Sequence, residues 1–465
     1  MKKVTAQATR RDFVRTALTT GLAVAPAVRP AWGKNSPNDR VNIAVVGFRN
    51  RGSDHYREYA AMPNVRVTTL CDVDERLFPA AVAEVEKISG HRPSTEIDFR
   101  KLIEQKDLDA VSIATPDYWH ALMAIWACQA GKDVYVEKPI SYTIKEGRTV
   151  VKAARKYNRI VQVGLQRRSI KHDRAGVHYV QSGSFGAAYR AQTVIFRGRL
   201  SIGHTPESSV PKGVHWDLYR GPAPMAPFSL NRFHYAWHAH WDTATTEVGN
   251  NGVHDMDLVR WAMQKHVHPV KIHCVGGKYI DHSDQDVPNT EIATYEYEDG
   301  TLLVLEVTTL PAPGFGGAHM GSFFYTPKGY VAACEYCDKW KTVAAEFTPR
   351  NRPDPPSGIS LRAANLSFPK IEYKPGPDIP FLDEKEVTHF ENFIDCVRSR
   401  KREDLHAEAL EGHMSTTLCH LANIAFRTGH TIKFDPKTET FPGDEEANGY
   451  LTRKYREPFV LPETV

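Results

Sequence analysis

Cysteine is scarce in this chain: seven in 465 residues, scattered except for Cys334 and Cys337. That pair has no second pair at zinc-ligand spacing, so no metal site is expected. It could close a disulfide in an oxidising compartment, but ordinary buried thiols are the preferred reading. Long apolar runs are missing too. The run from Ala17 to Val28 falls short of the about 20 residues that span a bilayer. Internal repeats are absent. Charge of one sign is lacking from most of the chain. The formal net charge is +4, and residues 1 to 27 hold five Lys or Arg against one Asp, which accounts for all of it. The remainder is near neutral, so neither nucleic acid nor an anionic surface is an expected partner.

What the N-terminus does contain is a signal pattern. Arg10-Arg11 precedes the short apolar run, and Ala25-Pro26-Ala27 follows as a cleavage site. This reads as a twin-arginine export signal, with a periplasmic or otherwise exported product and no span in the mature form. Retention as an anchor is the alternative. That export route carries folded proteins and suits those that load a cofactor beforehand. The length calls for two domains. They are placed at residues 34–166 and 167–435, between a signal and arm start at 1–33 and a C-terminal arm at 436–465.

The first domain shows a strand, turn and helix rhythm. Residues 41–46 form an apolar strand, followed by Gly47-Phe48-Arg49-Asn50-Arg51-Gly52 and a helix to about Met62. This is the opening unit of a dinucleotide-binding sheet, in which backbone N–H groups and a helix N-terminus face a pyrophosphate. Arg49 stands where the pattern has its middle glycine, so its side chain must point away or itself meet phosphate. Val65–Cys71 is the next strand and ends at Asp72, 25 residues after Gly47 and near the spacing of a ribose-binding acid. A helix N-cap is the competing role for Asp72. Asp74 follows with no adjacent base, which favours NAD over NADP. A helix over 76–88 and a strand over 108–114 come next. The strand leads to Thr115, Pro116 and His120, then a helix over Ala121–Ala130. Val134-Tyr135-Val136 is a buried strand that runs into Glu137-Lys138-Pro139, stopped at Lys138 by the proline. Taken alone, Glu137 and Lys138 are a surface pair at a turn. In an open parallel sheet they stand where ligand sits, beyond the carboxyl ends. A helix over 144–157 and a strand over 160–164 lead to Gln166 and Arg167.

Beyond residue 170 the rhythm changes. A helix over 172–182 gives way to strands over 189–196 and 270–275, and to a hairpin around Asp299-Gly300. The fold class is therefore α/β: a doubly wound parallel sheet, then an α+β domain with an open, mostly antiparallel sheet. Residues 349–380 read as a long surface loop, followed by helices near 384–400 and 407–428. The run Phe233 to Asp242 is rich in aromatics and histidine. Tyr235, His238, His240 and Asp242 there, with Trp216 and Arg167, are candidate sugar contacts. Alternation places His238 and His240 on one strand face. Sugar contact is preferred over metal, with plain packing close behind.

These motifs, together with Val163-Gly164-Leu165-Gln166 and Gly252-Val253-His254-Asp255-Met256-Asp257, resemble the Gfo/Idh/MocA family of oxidoreductases. The resemblance covers nearly all of the chain after the signal. It implies a nicotinamide cofactor on the Rossmann domain, a substrate-binding second domain, a homodimer or tetramer, and a cis Lys138–Pro139 bond. It also implies hydride transfer with a secondary alcohol of a sugar or related compound. Lys138 would bind the reacting oxygen and His254 would act as acid–base, while Gly47 to Gly52, Asp72, Thr115, Pro116, His120, Glu137 and Gln166 meet the cofactor. Without the resemblance, His254 reads as a capping or core histidine. Where the family often has an Asp four residues before this histidine, the chain has Asn250, which cannot take a proton and would orient the sugar. One family branch instead cleaves glycosidic bonds by transient oxidation and elimination. Glu137-Lys138-Pro139 matches the ordinary oxidoreductases better. A non-catalytic sugar-binding relative is the third reading.

Overall fold

The computed structural model describes residues 40–315, 318–334, 339–347 and 371–465. The expected export signal, the side chains of Cys334 and Cys337, and most of the 349–380 stretch lie outside these residues. Six parallel strands form the first sheet: β1 Val41–Val46, β2 Val65–Cys71, β3 Ser94–Glu96, β4 Ala110–Ile113, β5 Asp133–Val136 and β6 Val161–Val163, in the order β3-β2-β1-β4-β5-β6. β4, β5 and β6 are buried along their whole length, which is why they read as continuous apolar runs. The register is level. Val46 pairs with Cys71 and Ile113, Ile113 with Val136, and Val136 with Val163. The residues that follow, Gly47, Asp72, Ala114, Glu137 and Gly164, therefore emerge side by side at one edge.

The second sheet has nine strands. They are β7 Arg190–Phe196, β8 Lys271–Gly277, β9 Thr290–Glu296, β10 Leu302–Thr308, β11 Met320–Thr326, β12 Gly329–Cys334, β13 Lys341–Phe347, β14 Ile371–Pro375 and β15 Ile432–Lys433. Their order is β14-β13-β12-β11-β7-β10-β9-β8-β15. Only β7 and β10 run parallel; the other neighbours are antiparallel. The hairpin at Asp299-Gly300 forms as its turn residues direct. Strands β11 to β14 lie outside the elements that periodicity picks out. β11 is buried at nearly every position, so it shows no alternation. Ile371–Pro375 is an edge strand where loop was expected.

Two other segments differ from expectation. The helix expected from Ala121 begins at Asp117, directly after Pro116. Its first turn is buried through Tyr118, Trp119 and His120, so an apolar stripe gives no warning of the start. His234–Ala239 is a 3-10 helix, not a strand. No strand flanks it, and its backbone bonds locally, as in Ala236 N–H to Phe233 O at 3.3 Å.

Helix Ala409–Thr428 packs on both Ile144–Lys156 and Val253–Ala262 and so joins the two sheets. Arg168, just past β6, clamps Asp257 with two bonds of 2.8 Å and reaches Glu411 at 2.9 Å. Such forked pairs fix orientation as well as charge. The last residues carry buried apolar anchors, Phe441, Ala447 and Phe459. Glu439 pins this segment: one of its oxygens faces His268 at 2.9 Å, His413 at 2.8 Å and Arg148 at 2.6 Å. Those residue types can ligate metal, but the guanidinium occupies the carboxylate's cation-facing side. Among the described residues no helix is long and apolar enough to cross a membrane, and Cys71, Cys128, Cys274, Cys396 and Cys419 are buried free thiols.

The turn after β1 needs its glycines. Gly47 has φ +70°, and a Cβ on Gly52 would lie 1.9 Å from Gly47 O. Gly52→Ala is expected to lower the melting temperature by several degrees and to abolish nucleotide binding, read by calorimetry. Acid should loosen the whole fold. Burial holds His389, His406 and His413 at about 4, whereas in the unfolded chain they take protons near 6.5. The unfolded state thus binds more protons between those values, and stability falls as pH drops through them. Melting temperature is expected to be flat above about pH 6.5 and to decline steadily towards pH 4.

Candidate active site

The level carboxyl edge of the first sheet opens into a cleft of about 550 Å³, lined on its other side by residues 234–254. That volume is in the usual range for cofactor and substrate sites. At one end is the glycine turn. Gly47, Arg49, Asn50 and Arg51 line the cleft, and Asn50 has φ +52° at the start of helix Arg51–Ala61 with no side-chain cap bond. The helix start has no side-chain cap, although Ser53 N donates to Asn50 O at 2.9 Å, and its positive end faces the cleft. A Cβ on Gly47 would meet Thr115 N at 2.9 Å, which is how closely β1 and β4 converge there. Asp72 lines the same end. Its carboxylate accepts from Phe48 N at 3.1 Å and Asp74 N at 3.0 Å, while burial raises its pKa to about 6. Asp74 is not free of bases: Arg76 holds it at 2.6 Å and His234 lies 3.2 Å away. No base adjoins Asp74 in sequence; Arg76, two residues along the chain, and His234 reach it in space and offset part of the repulsion expected against a 2′-phosphate.

The middle of the cleft is organised by Glu137. Its Oε1 accepts from Arg51 Nε at 2.9 Å and faces His55 Nε2 at 3.1 Å. Burial alone would raise the Glu137 pKa, but Arg51, His55 and Lys138 outweigh it and hold the carboxyl well below the usual range. Gln166 lines the cleft beside Arg51. His120 bridges Thr115 O at 2.8 Å and Pro139 O at 2.7 Å, joining the loops after β4 and β5. The Lys138–Pro139 bond is cis. Lys138 Nζ donates to Asn250 O at 2.6 Å and to Asn250 Oδ1 at 3.2 Å. Burial pushes the Lys138 pKa down, against the pull of Glu137, Glu247 and Tyr235.

The second half contributes two imidazoles. His254 lies in the first turn of helix Val253–Ala262 and lines the cleft. Burial, then the Lys138 charge, lowers it to about 3. Its Nδ1 has no hydrogen-bond partner among the described residues. His238, lowered to about 3 chiefly by burial and also by Lys138 and Arg199, turns Nδ1 to Tyr235 O at 2.9 Å. Behind Asn250 stands Glu247, 3.2 Å from Asn250 Nδ2 and bound by Arg199 with two bonds of 3.0 Å. Arg199 also donates to the Tyr235 hydroxyl at 3.0 Å.

Six sequence candidates stand elsewhere. Phe48 turns its ring into a cluster with Tyr56 and Phe78, and Gly52 is packed inside the helix turn. Arg167 pairs with Asp173 at 3.0 Å and Asp255 at 2.7 Å, bracing the helix that carries His254. Trp216 is buried against Tyr219. His240 is buried, with Nε2 at Asn231 O, 2.7 Å away, so it does not share a face with His238. Asp242 pairs with Arg220 and Arg232. Conversely, Tyr219, Trp119 and Phe459 line the cleft without having been anticipated. Phe459 arrives from the far C-terminus to pack on Trp119, and no local pattern marks it. For a dinucleotide the parts agree: crowded glycines, a helix start without a side-chain cap, an acid at the end of β2 and a deep cleft.

Comparison with known proteins bears on this geometry. An oxidoreductase family with an NAD-binding Rossmann fold matches residues 41–165, and the C-terminal alpha/beta domain of the same family matches 195–313 and 374–461. A "Glycosyl hydrolase family 109 protein" from Shewanella sp. (strain W3-18-1) is 32% identical over 149 residues, 30% of this chain and 32% of that one. An "Alpha-N-acetylgalactosaminidase" from Shewanella oneidensis is 29% identical over 159 residues, 30% of this chain and 35% of that one. The matched segment spans only about a third of these relatives. Among solved structures, the WlbA dehydrogenase from Bordetella pertussis, in complex with NADH and UDP-GlcNAcA, superposes with a TM-score of 0.60 at 18% identity, over 85% of this chain and 99% of that one. With both halves of one family matched in order on a six-stranded Rossmann sheet and a mixed second sheet, the chain belongs to the Gfo/Idh/MocA oxidoreductases.

Proposed function

We propose that this protein transfers hydride between a secondary alcohol of a sugar or sugar derivative and a tightly held nicotinamide cofactor, with NAD preferred to NADP. The observation that carries the reading is the meeting of Lys138, Asn250, His238 and His254 in the cleft that begins at the glycine turn. Gly47, Arg49, Asn50, Arg51 and Asp72 would hold the dinucleotide. The cofactor supplies the acceptor or donor for hydride, and the protein's part is binding and proton management.

Lys138 gives two of its three N–H bonds to Asn250 and keeps one for the reacting oxygen. Its positive charge stabilises oxyanion character there as hydride leaves carbon. His254 is neutral at working pH, so it can accept the hydroxyl proton, and in the reverse direction it returns it. Asn250 does not take a proton. It aligns the ammonium, and Glu247 aligns Asn250. His238 and Tyr235 are placed to contact other hydroxyls. Asp72, with Asp74 next to it, would oppose a ribose 2′-phosphate, while Arg76 offsets part of that charge. Export by the twin-arginine route would explain a retained cofactor, since free nucleotide is scarce outside the cytoplasm.

A second reading, glycoside hydrolysis that cycles a retained NAD, rests on the likeness to glycosyl hydrolase family 109 and an alpha-N-acetylgalactosaminidase. Release of nitrophenol from an aryl N-acetylgalactosaminide without net cofactor reduction would select it. Reduction of bound NAD by a free sugar in a single turnover would select the dehydrogenase. In either case His254→Gln is expected to slow hydride transfer by about 100-fold or more, with nucleotide affinity unchanged; an unaltered single-turnover rate removes His254 from the chemistry. Asn250→Ala should lower kcat by about tenfold while the Gly47 turn still binds nucleotide.

A further inference from the structure

A second cavity of about 420 Å³ shares no lining residue with the cleft. Its walls come from the segment after Pro139, from residues 241–245, from helix Ala409–Thr428 and from the C-terminal segment. Its charge is lopsided. Arg427, Arg453 and Lys454 line it, and so does one carboxylate, Asp242. That carboxylate is already bound by Arg220 at 2.6 Å and Arg232 at 3.1 Å. Arg427 makes no hydrogen bond or ion pair among the described residues; it is held by rings alone, 4.8 Å over Trp241 and 4.2 Å over Tyr450. Arg453 is also stacked, 4.3 Å over Tyr142 and 5.4 Å over Tyr455, and its Nη2 donates to Tyr118 O at 3.3 Å. Its side chain is only 10% exposed, and Glu146 lies 3.5 Å from its Nε. Neither Nε nor Nη1 finds a hydrogen-bond partner among the described residues.

Stacking fixes a guanidinium plane without using its N–H groups, which leaves a preorganised fork for an oxyanion. Arg427 offers such a plane, Arg453 adds a second guanidinium whose Nη1 is unpartnered among the described residues, and with the Lys454 ammonium they make a site for negative charge. The hollow is much larger than a simple oxyanion requires, and Tyr142, Trp241 and Tyr450 give it apolar walls. We infer that this cavity binds a monosaccharide-sized carboxylate, a sugar acid, separately from the cleft.

Titration calorimetry of the full chain tests this with sodium glucuronate, with inorganic phosphate and with glucose as the neutral control. Saturable glucuronate binding is expected, with no glucose binding and weaker phosphate binding. The double variant Arg427→Gln/Lys454→Gln should weaken glucuronate at least tenfold with an unchanged melting temperature. Lys454→Gln alone, on an exposed side chain, should weaken it by a smaller factor and guards against misfolding of the double variant. Phosphate binding without glucuronate binding overturns the assignment. So does the absence of saturable glucuronate binding, or glucuronate affinity that neither variant changes.

Discussion

The contact on which the cleft depends is that of one ammonium, Lys138 Nζ, with the backbone and side-chain oxygens of Asn250. It spans 112 residues of sequence and ties the edge of the parallel sheet to the second half. A buried lysine is costly unless its N–H groups are met. Here they are met largely by neutral oxygens, because Arg51 and His55 already engage the neighbouring Glu137. The ammonium keeps its hydrogen bonds but has little direct counter-charge. Burial lowers its pKa, and the nearby carboxylates only partly offset that; its charge in turn lowers the two imidazoles nearby.

Around that contact the molecule invests in rigidity. Level strand ends bring the glycine turn, Asp72, His120 and Glu137 to one edge. Arg167 and Arg168, adjacent in sequence, grip Asp255 and Asp257 on the helix that carries His254. The His254 imidazole is therefore placed by two guanidinium clamps on its own helix. Arg167 acts through that helix and does not line the cleft. The C-terminal segment is fastened at Glu439 and returns to add Phe459 to the cleft wall. A reader of composition alone sees a polar tail there.

The histidines illustrate how environment assigns roles to one residue type. His55 and His120 are spent on holding loops, His413 on Glu439, and His389 on Val163 O at 2.8 Å. His238 and His254 remain in the cleft. All six are buried enough to stay neutral below the usual histidine range. Neutrality alone does not mark a base; position does.

Local rules acting along the chain were enough to read the parallel sheet, the glycine turn and the Asp299-Gly300 hairpin; the strand before Pro139 ends at Val136, two residues before the expected stop at Lys138. Apolar runs, turn residues and proline act over a few neighbours, so their consequences are written locally. The sequence order of strand-end motifs also implied which residues would share one edge. Other features were decided only by packing. β11 is buried on both faces and so carries no period; His238 and His240, two residues apart, part because their backbone curls where no strand can pair with it. Whether Arg167, Trp216 or Asp242 meets a ligand or an ion-pair partner depended on side chains brought from distant segments. Those contacts follow from tertiary proximity, which no window of the sequence encodes by itself.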